Sequence, residues 1–405
     1  MRESEGSHNS YDVVILGGGP AGAATTIALK RLDPGLRIAL IGKSDHSSLR
    51  IGETLPPDAQ TILRALGVWD AFMATSPVMS YGTRAAWGRA HPYENEFIFS
   101  LYGGGWHVDR NTFDAMLITE SIAAGIEVHF MSASCGAPHH DKYWTLPVGL
   151  NGGKTRELKA RFIVDATGRH SWFASTLGVR HLVYDQLAAI IVFYQFDPDS
   201  AAIDHYVLVE ASQHGWWYSA LLPGKQLSVA FMADAAYLRQ VRWRSSEEWR
   251  SLSATSSHTR RRIEMATPLR NPIVCSAASQ RLERVAGEGW LAVGDAASTF
   301  DPVSSQGIIK GLRSGVCAAR TICRYLRGRK AALQDYADFI EREYSNYLNA
   351  RSNYYRLEQR WPDSSFWQQR QEKIQPASRE QRPVSQPVGM VASPVMARHI
   401  DERGA

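Results

Sequence analysis

Three glycines offer the first chemistry in this chain. Gly17, Gly19 and Gly22 form G-x-G-x-x-G within GGGPAG, with Pro20 and Ala21 between the last two. The first glycine permits a tight turn, and the second lets backbone N–H groups approach a pyrophosphate. The third lets the following helix pack closely, so that its positive end faces the anion. Glycine-rich turns are common, so the motif counts only between a strand and a helix. An acidic residue about 20 positions past the last glycine ordinarily takes the ribose hydroxyls. Here that place holds Gly42 and Lys43. Lys43 reads either as a phosphate contact or as a solvated loop residue, and spacing leaves open whether Asp45 reaches a ribose. Two carboxylates end apolar runs. Asp165 lies in ARFIVDATGR, which also carries Gly168. Asp295 lies in WLAVGDAASTFDPVSSQG, which carries Gly294, Pro302 and Gly307 and leads into Ile308. A carboxylate where a parallel strand ends sits on the ligand-bearing edge of a sheet. Either aspartate alone reads equally as a helix cap. Three such strand ends in one chain exceed what capping explains.

Glu53, His107 and Tyr218 are the candidate acid–base groups. Glu53 reads equally as a carboxylate bonded to backbone or to Arg50, and His107 as a satisfied sheet histidine. His139 and His140 fall in a polar stretch, and no residues show metal-ligand spacing. Trp216, Trp217 and Tyr218 in GWWYSALL suit the wall of an apolar pocket, although most aromatics are core.

The elements that must position these residues follow from hydrophobic patterning. Residues 11–16 (YDVVIL) form an apolar, β-branched run of the length of a buried parallel strand. A helix is expected from 21 to about 32 and a second strand at 37–41, which completes a βαβ unit of about 30 residues. Helices are expected at 56–66, 111–124, 304–327 and 331–360. Residues 80–102 alternate like antiparallel strands, and 187–234 is dominated by strand patterns. The expected architecture is α/β: a Rossmann-like nucleotide domain with an inserted antiparallel-sheet substrate domain and C-terminal helices. The nucleotide domain takes residues 11–80, 106–180 and 276–330. The inserted sheet takes 81–105 and 181–275, a helical segment follows at 331–370, and 371–405 reads as a flexible, proline-interrupted tail.

Composition bounds the function classes. With 405 residues, 44% hydrophobic and 21% charged, the chain is long enough for more than one domain and is not disordered throughout. No apolar run approaches the ~18 residues that span a bilayer, and the first residues lack the apolar core of a secretory signal. Four cysteines form neither a disulfide framework nor a C-x-x-C pair, so a reducing cytoplasm is expected. The net charge of +5 is modest. With no nucleic-acid motif, it points to solubility and local anion binding, not to a nucleic-acid partner.

G-x-G-x-x-G, D-A-T-G and G-D-A-A-x-x-x-x-P in this order resemble the FAD-dependent monooxygenases of the aromatic hydroxylase type and their relatives, the flavin-dependent halogenases and geranylgeranyl reductases. The resemblance covers about residues 11–330. It implies FAD as cofactor, Asp295 on the ribityl chain, and the helix after Pro302 aimed at the flavin. Val108-Asp109-Arg110 with Phe113-Asp114 resembles the family's V-D-R-x-x-F-D helix start, which implies an FAD contact for Arg110; the alternative is a surface salt bridge. The resemblance also implies ring hydroxylation through a flavin C4a-hydroperoxide. O2 would be the co-substrate, with NADH, NADPH or a separate reductase as electron donor.

Finer features point to a branch. Residues 50–56 (RIGETLP) resemble the G-E-x-x-x-P segment of halogenases and geranylgeranyl reductases, and residues 300–307 resemble the halogenase loop against the flavin. Halogenases carry a lysine in K-x-G-x-R, where this chain reads Ser80-Tyr-Gly82-Thr-Arg84. A serine cannot form the cationic or chloramine species of that chemistry. The G-W-W-Y strand on such a scaffold resembles the flavoproteins of tryptophylquinone biogenesis. That resemblance implies a protein substrate carrying the target tryptophan. A broad cleft walled by Trp216, Trp217, Tyr218 and Ser80 is therefore expected. The rivals are hydroxylation of a free small aromatic, halogenation, isoprenoid reduction, and FAD binding without catalysis.

Overall fold

The computed structural model describes residues 9–43, 52–131, 136–149, 155–197, 204–264 and 266–372. Arg50 and the tail from residue 373 lie outside them, as does the side chain of Lys43.

The strand Ser10–Leu16 is the centre of a parallel sheet. Its β-branched side chains pack with no exposure at Val13, Val14 and Ile15. Ile38–Lys43 lies on one side of it and Thr155–Asp165 on the other, with Glu127–Met131 and Trp290–Ala292 beyond, all parallel. Leu16 stands opposite both Ile41 and Asp165, and Asp165 opposite Ala292. Three strands therefore end level, and the turns that follow them share one edge. Gly17 (φ +120°) makes the first turn; a Cβ there would lie 2.1 Å from the Ala166 carbonyl oxygen. The helix Pro20–Leu32 starts with proline at its first turn, where no N–H is needed. It packs against the helix Gly307–Leu326 at glycine-to-alanine distance, since a Cβ on Gly315 would come within 2.6 Å of the Ala21 oxygen. That second helix begins later than the pattern predicts, because Pro302–Ser304 forms a 3-10 turn and Ser305 turns left-handed (φ 51°).

The second sheet runs Ala266–Pro268, Leu187–Phe196, Gln226–Asp234, Gly215–Leu222, Tyr206–Ser212, Gly82–Ala86, Tyr93–Glu96. It is antiparallel except where Gly82–Ala86 joins Tyr206–Ser212 in parallel, a departure from the fully antiparallel expectation. Alternation divides its side chains between two cores. Trp216, Ala220, Ala230 and Met232 pack with Trp87, Tyr355, Phe366 and Trp367. Trp217, Leu221, Val229 and Phe231 face the opposite way, under Leu238, Trp249 and Leu252.

Thr54–Leu55, Gly105–His107 and Val78–Ser80 form a small three-stranded antiparallel sheet with Gly105–His107 at its centre. The strand pattern expected through residue 102 stops at Glu96. Beyond it Ile98, Phe99 and Leu101 are 76%, 87% and 98% exposed. The helix Ala332–Arg356, shorter than the 331–360 expected, and the helix Ser365–Glu372 complete the described chain.

Candidate active site

The level strand ends build a cradle of backbone. A Cβ on Gly22 would lie 1.9 Å from the Gly17 oxygen, so both positions require glycine. A Cβ on Gly19, Gly168 or Gly307 would meet nothing within 4 Å, so the backbone there borders open space. Gly294 turns left-handed (φ 58°), and its Cβ would meet Ala21 at 2.6 Å. The 294–296 turn is thereby locked to the start of the first helix. Ile308, at the start of the second, is buried in the core. Pro302 is half-buried in the turn before it.

The two aspartates at this edge part company. Asp165 is fully buried, and its carboxylate accepts from Thr167 N at 3.0 Å, Thr167 Oγ1 at 2.6 Å and Ala174 N at 2.9 Å. The expectation of a cofactor contact for the Asp165 side chain is corrected: its oxygens are spent holding the D-A-T-G turn and the helix Trp172–Thr176. Asp295 keeps 42% of its side chain open, while one oxygen accepts from Lys310 Nζ at 2.7 Å. Lys310 is 7% exposed and also donates to the Ser298 carbonyl. Burial draws its pKa down, and the Asp295 charge opposes that drift. Sequence reasoning missed Lys310; its one signal is a lysine among Ile308, Ile309 and Leu312 on an apolar helix face.

Arg110 opens the helix Arg110–Ala123, which Asp109 caps by accepting from Thr112 N at 2.8 Å. Its guanidinium pairs with Asp114 at 3.2 Å and donates to the Gly52 carbonyl at 3.4 Å. That contact brings it to the turn before Glu53. The Glu53 carboxyl is 2% exposed. Burial pushes its pKa up to about 7, against the nearby Arg110 charge and a 3.3 Å hydrogen bond donated by Ser228 Oγ. Thr54 Oγ1 lies 2.9 Å from the Tyr218 hydroxyl and 3.2 Å from His107 Nδ1. Tyr218 is half-buried, and burial followed by the Glu53 charge raises its pKa.

The expected aromatic wall is corrected at three positions. Trp216 and Trp217 have no exposure, because adjacent strand residues point to opposite faces and each enters a separate core. Of the G-W-W-Y aromatics, Tyr218 alone stays partly open. Ser80 is also wholly buried, and its Oγ has no hydrogen-bond partner among the described residues.

The 300–307 loop is held from behind by residues that sequence reasoning did not single out. Asp301, wholly buried, accepts from Arg351 Nε at 3.1 Å, Tyr355 OH at 2.8 Å and Val303 N at 3.0 Å. Arg351 also reaches Asp185 at 2.9 Å, and Trp216 Nε1 donates to Tyr355 OH at 3.0 Å. Trp216 thus ties the second sheet to the loop instead of lining a cleft.

The model of the FAD binding domain family matches residues 10–343. The chain belongs to this family. The glycine-only turns, the open backbone at Gly19 and Gly307, and the half-open Asp295 carboxylate fit FAD, and this is a flavoprotein enzyme. The FAD-binding chain is 29% identical over 363 residues to the putative FAD-dependent oxidoreductase LodB of Marinomonas mediterranea, covering 89% of this chain and 97% of that protein. It is 26% identical to the 1H-pyrrole-2-carbonyl-[peptidyl-carrier protein] brominase of Pseudoalteromonas luteoviolacea, covering 83% and 82%. Its fold is shared with the peptidyl tryptophan dihydroxylase QhpG, essential for tryptophylquinone cofactor biogenesis. The TM-score there is 0.72 at 23% identity, over 93% of this chain and 85% of QhpG. Among the described residues no helix is long and apolar enough to cross a membrane.

Proposed function

We propose that this flavoprotein hydroxylates the indole ring of a tryptophan held in a partner polypeptide. O2 is the oxygen source, and NADH, NADPH or a separate reductase supplies the electrons. The carrying observation is the apolar run Ile98, Phe99 and Leu101, nearly fully exposed and joined through Gly103–Gly105 to the strand bearing His107. Exposed apolar patches are a mark of protein-interaction surfaces. The named activities of two similar proteins, on a carrier-protein substrate and on a peptidyl tryptophan, support the same substrate class.

When bound and reduced, FAD supplies the activation of O2 and the delivery of one oxygen atom. Backbone at Gly17, Gly19, Pro20, Ala21, Gly22, Gly168 and Gly294 would cradle its phosphates and ribose. Asp295 and Arg110 would take polar groups, and backbone from Pro302 to Ile308 would lie against the ring system. Glu53 would act as proton donor, since a carboxyl titrating at about 7 still carries its proton in part of the population at neutral pH. Two positions speak against halogenation. Ser80 has no amine, and the Lys310 amine is engaged by Asp295 and the Ser298 carbonyl.

The reduced enzyme, O2 and a tryptophan-containing partner should yield a peptide with added oxygen mass, and chloride or bromide should yield no halogenated product. Rapid hydroxylation of a free phenol or indole, with no mass change on any partner, would overturn the polypeptide substrate.

A further inference from the structure

The hydrogen bonds behind Tyr218 can run in only one direction. His107 Nε2 lies 3.2 Å from the backbone oxygen of His205, which can only accept, so Nε2 carries a hydrogen. The ring is wholly buried with no carboxylate bonded to it among the described residues, and burial holds its pKa down at about 4. It is therefore neutral, and Nδ1 is bare. The bare Nδ1 takes the single hydroxyl hydrogen of Thr54 at 3.2 Å. Thr54 has none left for Tyr218, 2.9 Å away, so the phenol donates inward to Thr54 Oγ1. The Tyr218 oxygen keeps its lone pairs, and among the described residues no donor satisfies them. Tyr218 is the half-open member of its strand, within the electrostatic reach of Glu53.

We infer that Tyr218, fixed as an acceptor by Thr54, His107 and the His205 carbonyl, determines specificity by selecting an aromatic ring with an N–H donor. Indole-class rings satisfy the lone pairs. Rings whose heteroatom is alkylated, or is only an acceptor, leave them unpaired and desolvated. This deepens the proposed function and rests on it for the position of the ring.

The test uses the FAD-loaded protein with indole, 1-methylindole and benzofuran as probes, and reads Kd from the perturbation of the flavin visible spectrum. The parent should bind indole about 10-fold more tightly than either analogue, the value of one hydrogen bond to a desolvated acceptor. In Tyr218→Phe the preference should collapse to about 1. In Thr54→Val the phenol hydrogen is free to turn outward, so indole should weaken while benzofuran strengthens. A merely structural role for Tyr218 would move all three probes together. Equal parent affinities, or no response to any probe, overturn the inference. Oxygen transfer to a partner tryptophan without an N–H preference sinks this inference alone. An N–H preference without that transfer sinks the polypeptide substrate and leaves this inference standing.

Discussion

In the parallel sheet, the atoms offered to a ligand are mostly backbone. Turns after three level strands place them, and Gly17 and Gly22 are irreplaceable because a Cβ would strike another residue's oxygen. In the second sheet, the working atoms are side chains at the ends of long-range contacts: Ser228 on Glu53, Thr54 on Tyr218, Trp216 on Tyr355. A backbone site tolerates change in most side chains around it and none at Gly17 or Gly22. A side-chain site spreads its sensitivity over many partners, each worth less.

Substitutions can break this contrast or sharpen it. Gly22→Ala should cost more than about 4–5 kcal/mol, because the Cβ would sit 1.9 Å from a fixed backbone oxygen. The thermal midpoint should drop steeply and the purified protein should lack flavin colour; a yellow, stable variant would break the contrast at its strongest point. Arg351→Met should cost about 3–5 kcal/mol in urea unfolding, because it strands the buried Asp301 carboxylate without its cation. It should also weaken FAD retention if the 300–307 loop lies against the ring system as proposed. Glu53→Gln tests the second region through pH. The folded carboxyl holds its proton up to about 7, while the unfolded one releases it near 4.5. Stability should therefore fall as pH rises from about 4.5 to about 7 and then level off, by about 3 kcal/mol at most. The glutamine variant should lack that slope when thermal midpoints are compared across the window. Asp295→Ala should weaken FAD by about 10- to 100-fold in Kd, the worth of one charge-assisted hydrogen bond of roughly 1.5–3 kcal/mol.

What could be read beforehand follows the same division. The turn at Gly17–Gly22 and the strand ends at Asp165 and Asp295 were legible because they depend on a few consecutive residues. Asp165 was misassigned because sequence shows that a carboxylate ends a strand, not that Thr167 and Ala174 consume its oxygens. Trp216 and Trp217 were misassigned against a signal in plain view: neighbours in a strand point to opposite faces, so two of them cannot wall one cleft. Lys310, Ser228, Arg351 and Tyr355 were illegible as a set. Ser228 and Glu53 are 175 positions apart, and Asp301 and Tyr355 are 54. Only the folded chain brings such pairs together.

The ties on Asp301 also set an order of events during synthesis. Its partners at positions 347, 351 and 355 are made after every glycine motif has been synthesised. A nascent chain ending near residue 330 carries the whole nucleotide signature, yet nothing behind the 300–307 loop to hold it. Capture of the flavin should therefore be a late step, following the arrival of the helix Ala332–Arg356. Chains stalled before that helix would emerge colourless, and cells short of FAD would accumulate complete chains waiting for cofactor rather than half-made ones.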